Sequence, residues 1–240
     1  DCQALVKSAF MDEDLNQHMK LTSANSINVA RFLPQSFYYF NAYAQLDRIG
    51  KADELVVSVP SGNFGNITAG LIGKKMGLPI KRFIAANNRN DIFYQYLMSG
   101  VYNPRPSIAT IANAMDVGDP SNFERMMLIC GGDVKLLKNE VRGFSCGDCE
   151  IEAAINEMHE KYGYLSDPHS AVGYLAMKAF GEPGFYLSTA HAAKFGEVVE
   201  PVTGVAPELP SSLAEAVKRE RHATKMEANE AALADFLLKM

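Results

Sequence analysis

The sequence predicts an α/β fold: an open, mostly parallel sheet with helices on both faces. Three observations carry that expectation. ELVVSVP (54–60) and IKRFIAA (80–86) are apolar runs of buried-strand length, separated by the small-residue helical stretch ITAGLIGKKMG (67–77). VRGFSC (141–146) followed by CEIEAAINEMHEKYG (149–163) repeats the strand–helix rhythm, and DPHSAVGYLAMKAFG (167–181) followed by FYLSTA (185–190) continues it. With 240 residues and 48% hydrophobic content, the chain has enough apolar material to cover both faces of such a sheet.

In chain order, residues 3–10 and 25–49 read as helices, the second ending near Gly50, so that residues 1–50 form a helical segment leading into a large α/β domain at 51–240. The unit 54–86 is βαβ, for which a parallel pair with a right-handed crossover is expected. NNRNDIFYQYLMSG opens with capping residues and continues as a short helix, and a loop with Pro104 and Pro106 follows it. SIATIANAMD shows no strand pattern. SNFERMMLICGG (121–132) reads as a helix, and Asp167 with Pro168 reads as the N-cap and first position of the helix over 167–181. Ser212 with Glu215 reads as a capping box opening the amphipathic tail from Ser211.

Composition narrows the function. A net charge of −5 and a pI near 5.6, with charges interspersed, argue against nucleic-acid binding. No apolar run approaches the roughly 20 residues of a membrane span, and the start lacks the order of a signal peptide, so a cytoplasmic location is expected. Four cysteines are too few for a disulfide framework. The first residue is Asp1, and DCQALVKSAF reads as a helix in progress, as if the chain began inside a longer polypeptide.

The turn SGNFGN (61–66) lies beyond the carboxyl end of the first strand, where ligands of open α/β sheets bind. Gly62 and Gly65 permit positive φ and close backbone approach, so amide N–H groups can converge on an anion at the amino end of the next helix. Asn63, Asn66 and Thr68 could add neutral donors. The turn lacks the Lys-Ser/Thr end of a P-loop and the spacing of GxGxxG, and a tight turn with no ligand is the alternative.

PSGNFGNITAGLIGKKMGLPIKRFIAANNRND resembles the corresponding stretch of bacterial threonine synthases, pyridoxal-phosphate enzymes of the tryptophan-synthase-β-like fold. DCQALVKSAF, LTSANSINVARFLPQSFYYF, ANAMDVGDPSNFER, YLSDPHSAVGY and LSTAHAAKF resemble that family in the same order, so the likeness covers nearly the whole chain. The resemblance implies a fold-type II pyridoxal-phosphate enzyme, incomplete at its amino end. In it, Gly62, Asn63, Phe64, Gly65 and Asn66 would cradle the phosphate of pyridoxal 5'-phosphate, and Thr189 would lie at the pyridine nitrogen, with Ser188 its competitor. Ala192 stands where the family has proline.

The family's Schiff-base lysine belongs to an F-K-D type segment before the region covered here, and no lysine of this chain has that context. The resemblance therefore implies the carboxyl-terminal part of an enzyme converting O-phospho-L-homoserine and water to L-threonine and phosphate, with no catalytic lysine of its own and inactive alone. The missing amino-terminal part of the same polypeptide would be its partner. A related phospho-lyase releasing a 2-keto acid and a non-catalytic phosphate-binding domain of the same fold are the alternatives.

Other residues were weighed beside these. Asn28, Arg31 and Gln35 form a polar stripe at helical spacing. Arg31 could clamp a substrate phosphate or carboxylate with Asn28 beside it, or anchor a neighbouring carboxylate. Asn88 is a cofactor or substrate candidate, and Asp91 reads as a helix cap. Cys146 and Cys149 form CxxC at a strand–helix junction, with no second pair or histidine pair to make a metal site. Asp148 reads as the cap of the helix after it. His169 and His191 could line the site, whereas His18, His159 and His222 read as surface helix residues.

Overall fold

Four strands form one parallel sheet in the order β3-β2-β1-β4: β1 Val56–Pro60, β2 Arg82–Asn87, β3 Val141–Ser145 and β4 Gly184–Tyr186. The computed structural model describes residues 2–220 and 222–239. Side chains alternate across the sheet. Val57 and Val59 of β1 with Phe83 and Ala85 of β2 enter one apolar core, while Val56, Ile84 and Ala86 enter the other. Burial on both faces is why these strands read as unbroken apolar runs.

Ahead of the sheet come α1 (Cys2–Met11), α2 (Glu13–His18), α3 (Val29–Phe32), a 3-10 turn (Leu33–Gln35) and α4 (Ser36–Arg48). The helix expected over 25–49 is thus broken. Asn28 caps α3 instead of lying inside a helix, its Oδ1 accepting from Ala30 N at 3.0 Å. Pro34, which has no N–H to donate, falls in the 3-10 turn between α3 and α4.

Helix α5 (Gly65–Lys75) joins β1 to β2 and starts two residues earlier than its apolar pattern suggests. It lies close against α4, for a Cβ at Gly70 would stand 2.8 Å from the Tyr39 ring. Tyr39 Oη donates to Asn66 O at 2.7 Å. Between β2 and β3 come α6 (Ile92–Ser99), a 3-10 turn (Asn113–Met115), α7 (Phe123–Ile129) and α8 (Val134–Glu140), the last without a sequence expectation. Asp91 precedes α6 but makes no cap bond, its carboxylate engaging Gln95 and Arg105 instead.

After β3, α9 (Asp148–Tyr162) and α10 (Pro168–Phe180) cover the opposite face and lead to β4. The cap of α9 is Gly147, whose N–H donates to Glu150 Oε2 at 2.8 Å, so Asp148 is the first helical residue and not the cap. Asp167 and Pro168 open α10 as expected. A 3-10 turn (Ala192–Phe195), α11 (Gly196–Thr203), α12 (Ser211–Val217) and α13 (Glu230–Leu238) complete the chain, α13 packing on α1 and α2. Ser212 makes no cap, since α12 begins at Ser211 after Pro210. His222 lies outside any helix. No described helix is long and apolar enough to cross a membrane.

The strand order has a consequence for ligand binding. From β1 the chain crosses one face through α5 to β2, whereas β4 leads into α11, whose Val199 is buried in the core of the other face. Adjacent strands whose continuations leave on opposite faces open a crevice at their carboxyl ends. That crevice lies between β1 and β4.

Candidate functional site

The turn after β1 fills one side of this crevice. Ser61 is buried and fixed, its N–H donating to Ala86 O at 2.9 Å and its carbonyl accepting from Asn87 Nδ2 at 2.8 Å. Beyond it the backbone turns sharply at Phe64, which has φ 59° and ψ 14°, the left-handed region. The positive φ therefore sits on Phe64, and Gly62 and Gly65 do not adopt it. Such a conformation in a bulky residue is strained by about 1–3 kcal/mol. Full burial of the Phe64 ring, 4.9 Å from that of Phe93, holds it there.

The glycines answer a different need, which is close packing. A Cβ on Gly62 would stand 2.8 Å from Met115 Cα, and one on Gly65 would stand 2.6 Å from Ser26 Cβ. Side chains around the turn are also spent on the protein. Asn63 donates to Ser26 Oγ at 2.8 Å and accepts from Ser121 N at 2.6 Å. Asn66 donates to Pro60 O at 2.8 Å, and the Thr68 hydroxyl donates to Phe64 O at 2.6 Å. These three side chains lock the loop.

What remains free is the backbone. The N–H groups of Gly62, Asn63, Phe64, Gly65 and Asn66 have no acceptor among the described residues. Five successive free amides at the start of an 11-residue helix are suited to an oxyanion, by hydrogen bonding and by the helix dipole. Two buried polar atoms without partners, Asn87 Oδ1 and Ser121 Oγ, belong to residues bonded directly to this loop. The turn thus fits the phosphate ester of pyridoxal phosphate.

Sequence reasoning missed Arg125. It donates to Asn122 Oδ1 at 2.7 Å and to Ile27 O at 2.6 Å, and its guanidinium lies 5.3 Å from the Phe32 ring centre. Asn122 in turn donates to Asn63 O at 2.8 Å. Together they pin residues 26–27 against the glycine turn. Only the arginine in SNFER hints at this, because the backbone carbonyls it ties to this loop, those of Ser26 and Ile27, are almost a hundred residues away.

The other side of the crevice is the segment after β4. Leu187 N donates to Ser58 O at 3.0 Å, continuing the β1–β4 pairing towards Ser188 and Thr189. Thr189 is exposed, its N–H donates to Ser170 Oγ at 3.1 Å, and its hydroxyl makes no bond among the described residues. Ser188 Oγ, by contrast, lies 3.3 Å from both Tyr164 Oη and Ser170 Oγ.

Beneath this segment lies Asp167, 1% exposed. It accepts from His169 N at 2.9 Å, Ser170 N at 3.2 Å, His169 Nδ1 at 3.0 Å and the Ser170 hydroxyl. Burial works to raise its pKa, but these hydrogen bonds prevail and hold it below the usual 3.8. A depressed carboxylate stabilises the fold above its unfolded pKa, and that stability is lost as pH falls through the folded value. We expect the urea midpoint of the purified protein to fall as pH drops below about 4 through the depressed folded value, and Asp167→Asn to remove that part of the acid limb. Equal midpoints across that range in parent and variant would refute it.

His169 is the buried, bonded histidine and not a free site group, because its Nε2 accepts from Ala114 N at 3.1 Å. His191 caps the following turn through Nδ1. Asn88 is buried, and its amide donates to Thr110, Ala112 and Asp116 while its Oδ1 accepts from Asn90 N, so it ties these loops together. Asn28 is likewise engaged, donating to Ser23 O at 2.9 Å besides capping α3. Arg31 is exposed, with only Nε bonded, to Ala24 O.

Burial, with Glu150 and Asp148 nearby, pushes the Cys146 thiol up to about 12, the reverse of a reactive cysteine. Among the described residues, no group of three metal-ligating side chains occurs. Lys74 and Lys75 stand at the far end of α5, about 15 Å from the turn at 1.5 Å per residue.

Comparison with known proteins yields two family profiles: "Pyridoxal-phosphate dependent enzyme" over residues 11–186 and "Threonine synthase, C-terminal" over residues 170–237. The chain is 46% identical over 244 residues to the threonine synthase of Haemophilus influenzae, covering 99% of this chain and 56% of that protein. It is similar to the crystal structure of Escherichia coli threonine synthase, with TM-score 0.91 and 44% identity over 99% of this chain and 56% of that one. It is also similar to pyridoxal-phosphate-bound threonine synthase from Brucella melitensis, with TM-score 0.86 and 33% identity over 99% of this chain and 57% of that one. The chain spans about half the length of the curated relatives it matches.

Proposed function

The chain belongs to the pyridoxal-phosphate dependent enzyme family, in its threonine synthase branch, and on that premise we propose that it is the cofactor-phosphate-binding part of a threonine synthase. The intact enzyme would convert O-phospho-L-homoserine and water to L-threonine and phosphate, a lyase reaction that breaks a carbon–oxygen bond to phosphate. The observation that carries this reading is the run of five amides at residues 62–66, without acceptors among the described residues, at the carboxyl end of β1 next to β4.

Pyridoxal phosphate, when bound, supplies the electron sink that lets α and β protons and the γ-phosphate leave an amino acid. The amides of residues 62–66 hold its phosphate ester, and Gly62 and Gly65 let Met115 and Ser26 buttress them. Thr189 takes the place at the pyridine nitrogen. Its hydroxyl is free, whereas Ser188 is engaged by Tyr164 and Ser170. A neutral hydroxyl there leaves the ring a weaker sink than a carboxylate would. On the family resemblance, the lysine amine that moves protons would belong to an F-K-D type segment, which the sequence of this chain does not contain.

At the substrate we place Arg31, whose Nη groups make no bond among the described residues, with Asn28 fixing the helix on which it stands. Arg31→Ala in the intact enzyme should raise KM for the phosphorylated substrate about tenfold or more and leave cofactor content unchanged. An unaltered KM would return Arg31 to a structural role.

Product analysis of the intact polypeptide with O-phospho-L-homoserine tests the whole reading. Threonine and phosphate in equal amounts are expected. A 2-keto acid with ammonia and phosphate would make it a phospho-lyase of the same fold, and no turnover by a protein that binds no cofactor would leave only a phosphate-binding domain.

A further inference from the structure

We propose that Asp167 is a positioning residue that orients both ends of the cofactor cradle, through Ser170 to the segment at Thr189 and through His169 to the loop that backs Gly62. The inference rests on the reading of residues 62–66 and Thr189 as that cradle. It adds three residues, Asp167, His169 and Ser170, that touch neither the phosphate turn nor the pyridine hydroxyl.

The first branch follows from counting protons. Ser170 has one hydroxyl proton, and the Asp167 carboxylate, which can only accept, takes it. Towards Thr189 N, 3.1 Å away, Ser170 therefore accepts, and Ser188 Oγ stands 3.3 Å from it. Ser188 Oγ also lies 3.3 Å from Tyr164 Oη, where either hydroxyl can donate. The directed chain runs from Thr189 N to Ser170 Oγ to Asp167. It fixes the Thr189 backbone while the Thr189 hydroxyl makes no bond among the described residues.

The second branch runs the other way across the crevice. Asp167 Oδ1 accepts from His169 Nδ1 at 3.0 Å, which fixes the tautomer with its lone pair on Nε2. That lone pair accepts from Ala114 N at 3.1 Å. Ala114 O and Met115 Cα are the atoms against which Gly62 packs, 3.2 and 2.8 Å from where its Cβ would be. One buried carboxylate, held by the first turn of α10, thus reaches the supports of both the phosphate turn and the ring-side loop. Its own location is rigid, since two backbone N–H groups of that turn bind it.

The test uses the intact enzyme and reads cofactor Kd and the absorption maximum of the bound coenzyme, with the urea midpoint as a check on folding. Ser170→Ala removes the relay while leaving Asp167 its backbone bonds. It should weaken Kd about tenfold and shift the absorption maximum in the same direction as Thr189→Val. The double variant should be little worse than either single one, because both act on one contact. Where alanine does not fold, the near-isosteric Ser170→Cys, a weak hydrogen-bonding group, is read for the same signs. The proposal is overturned if Ser170→Ala leaves Kd and spectrum unchanged while Thr189→Val alters them, or if the two effects simply add. If Thr189→Val and Gly65→Val both leave cofactor binding intact, the cradle itself is misplaced, and the proposal falls with it.

Discussion

Gly65→Val in the intact enzyme should lose most of its bound pyridoxal phosphate, with Kd raised about tenfold to a hundredfold. The argument is steric. A Cβ alone would stand 2.6 Å from Ser26 Cβ, a separation that real contacts do not show. Ser26 cannot step aside. Its hydroxyl accepts from Asn63 at 2.8 Å, its carbonyl accepts from Asn122 and Arg125 at 3.3 Å each, and the next carbonyl accepts from Arg125 at 2.6 Å. The added side chain must therefore push the turn, and the free amides of residues 62–66 lose their common focus. Absorbance of the desalted protein and a cofactor titration measure the loss, while circular dichroism checks that the fold persists. A yellow, fully loaded Gly65→Val enzyme would remove this turn from the cofactor site.

That variant also shows how far the sequence could be read. Two glycines between an apolar strand and a small-residue helix announce a turn with little room, and the place of the turn past β1 follows from the βαβ pattern. The reason for each glycine was not legible. Local sequence suggests positive φ at glycine, yet the left-handed residue is Phe64, because its buried ring holds the turn that way. The closeness that demands glycine comes from Ser26 and Met115, 39 and 53 positions away (65 − 26 and 115 − 62). Asn63, Asn66 and Thr68 carry the right groups for anion binding, and nothing local reveals that each is already bonded to its own protein.

The same limit applies elsewhere. Asp167 is legible as a helix cap from the pair Asp-Pro, but its second service to Ser170 and to the His169 ring depends on packing. Helices α2, α8 and α11 are too short for their periodicity to stand out, and tertiary contact stabilises them. Strands β1 and β2, by contrast, are buried on both faces and declare themselves by composition alone, whereas β3 and β4 are only partly buried.

Asn88→Ala should cost the folded protein about 2–4 kcal/mol, a loss visible as a lower urea midpoint. Asn88 is 1% exposed and sits at the centre of a polar network. Its Nδ2 donates to Thr110 Oγ1 at 2.8 Å, Ala112 O at 3.2 Å and Asp116 Oδ1 at 2.8 Å, and its Oδ1 accepts from Asn90 N at 2.9 Å. Alanine abolishes these bonds and a fifth from Asn90 Nδ2 to Oδ1, leaves the buried Asn90 N–H without its acceptor, and takes one bond each from Thr110, Ala112 and Asp116, which keep other partners. The loop so released includes Ala112–Met115, the backing of Gly62, so cofactor affinity should fall as a consequence of the stability loss. The order of effects distinguishes this from direct contact. A ligand-binding asparagine would lose cofactor affinity at unchanged stability, and an Asn88→Ala enzyme that melts like the parent yet binds cofactor poorly would place Asn88 at the ligand.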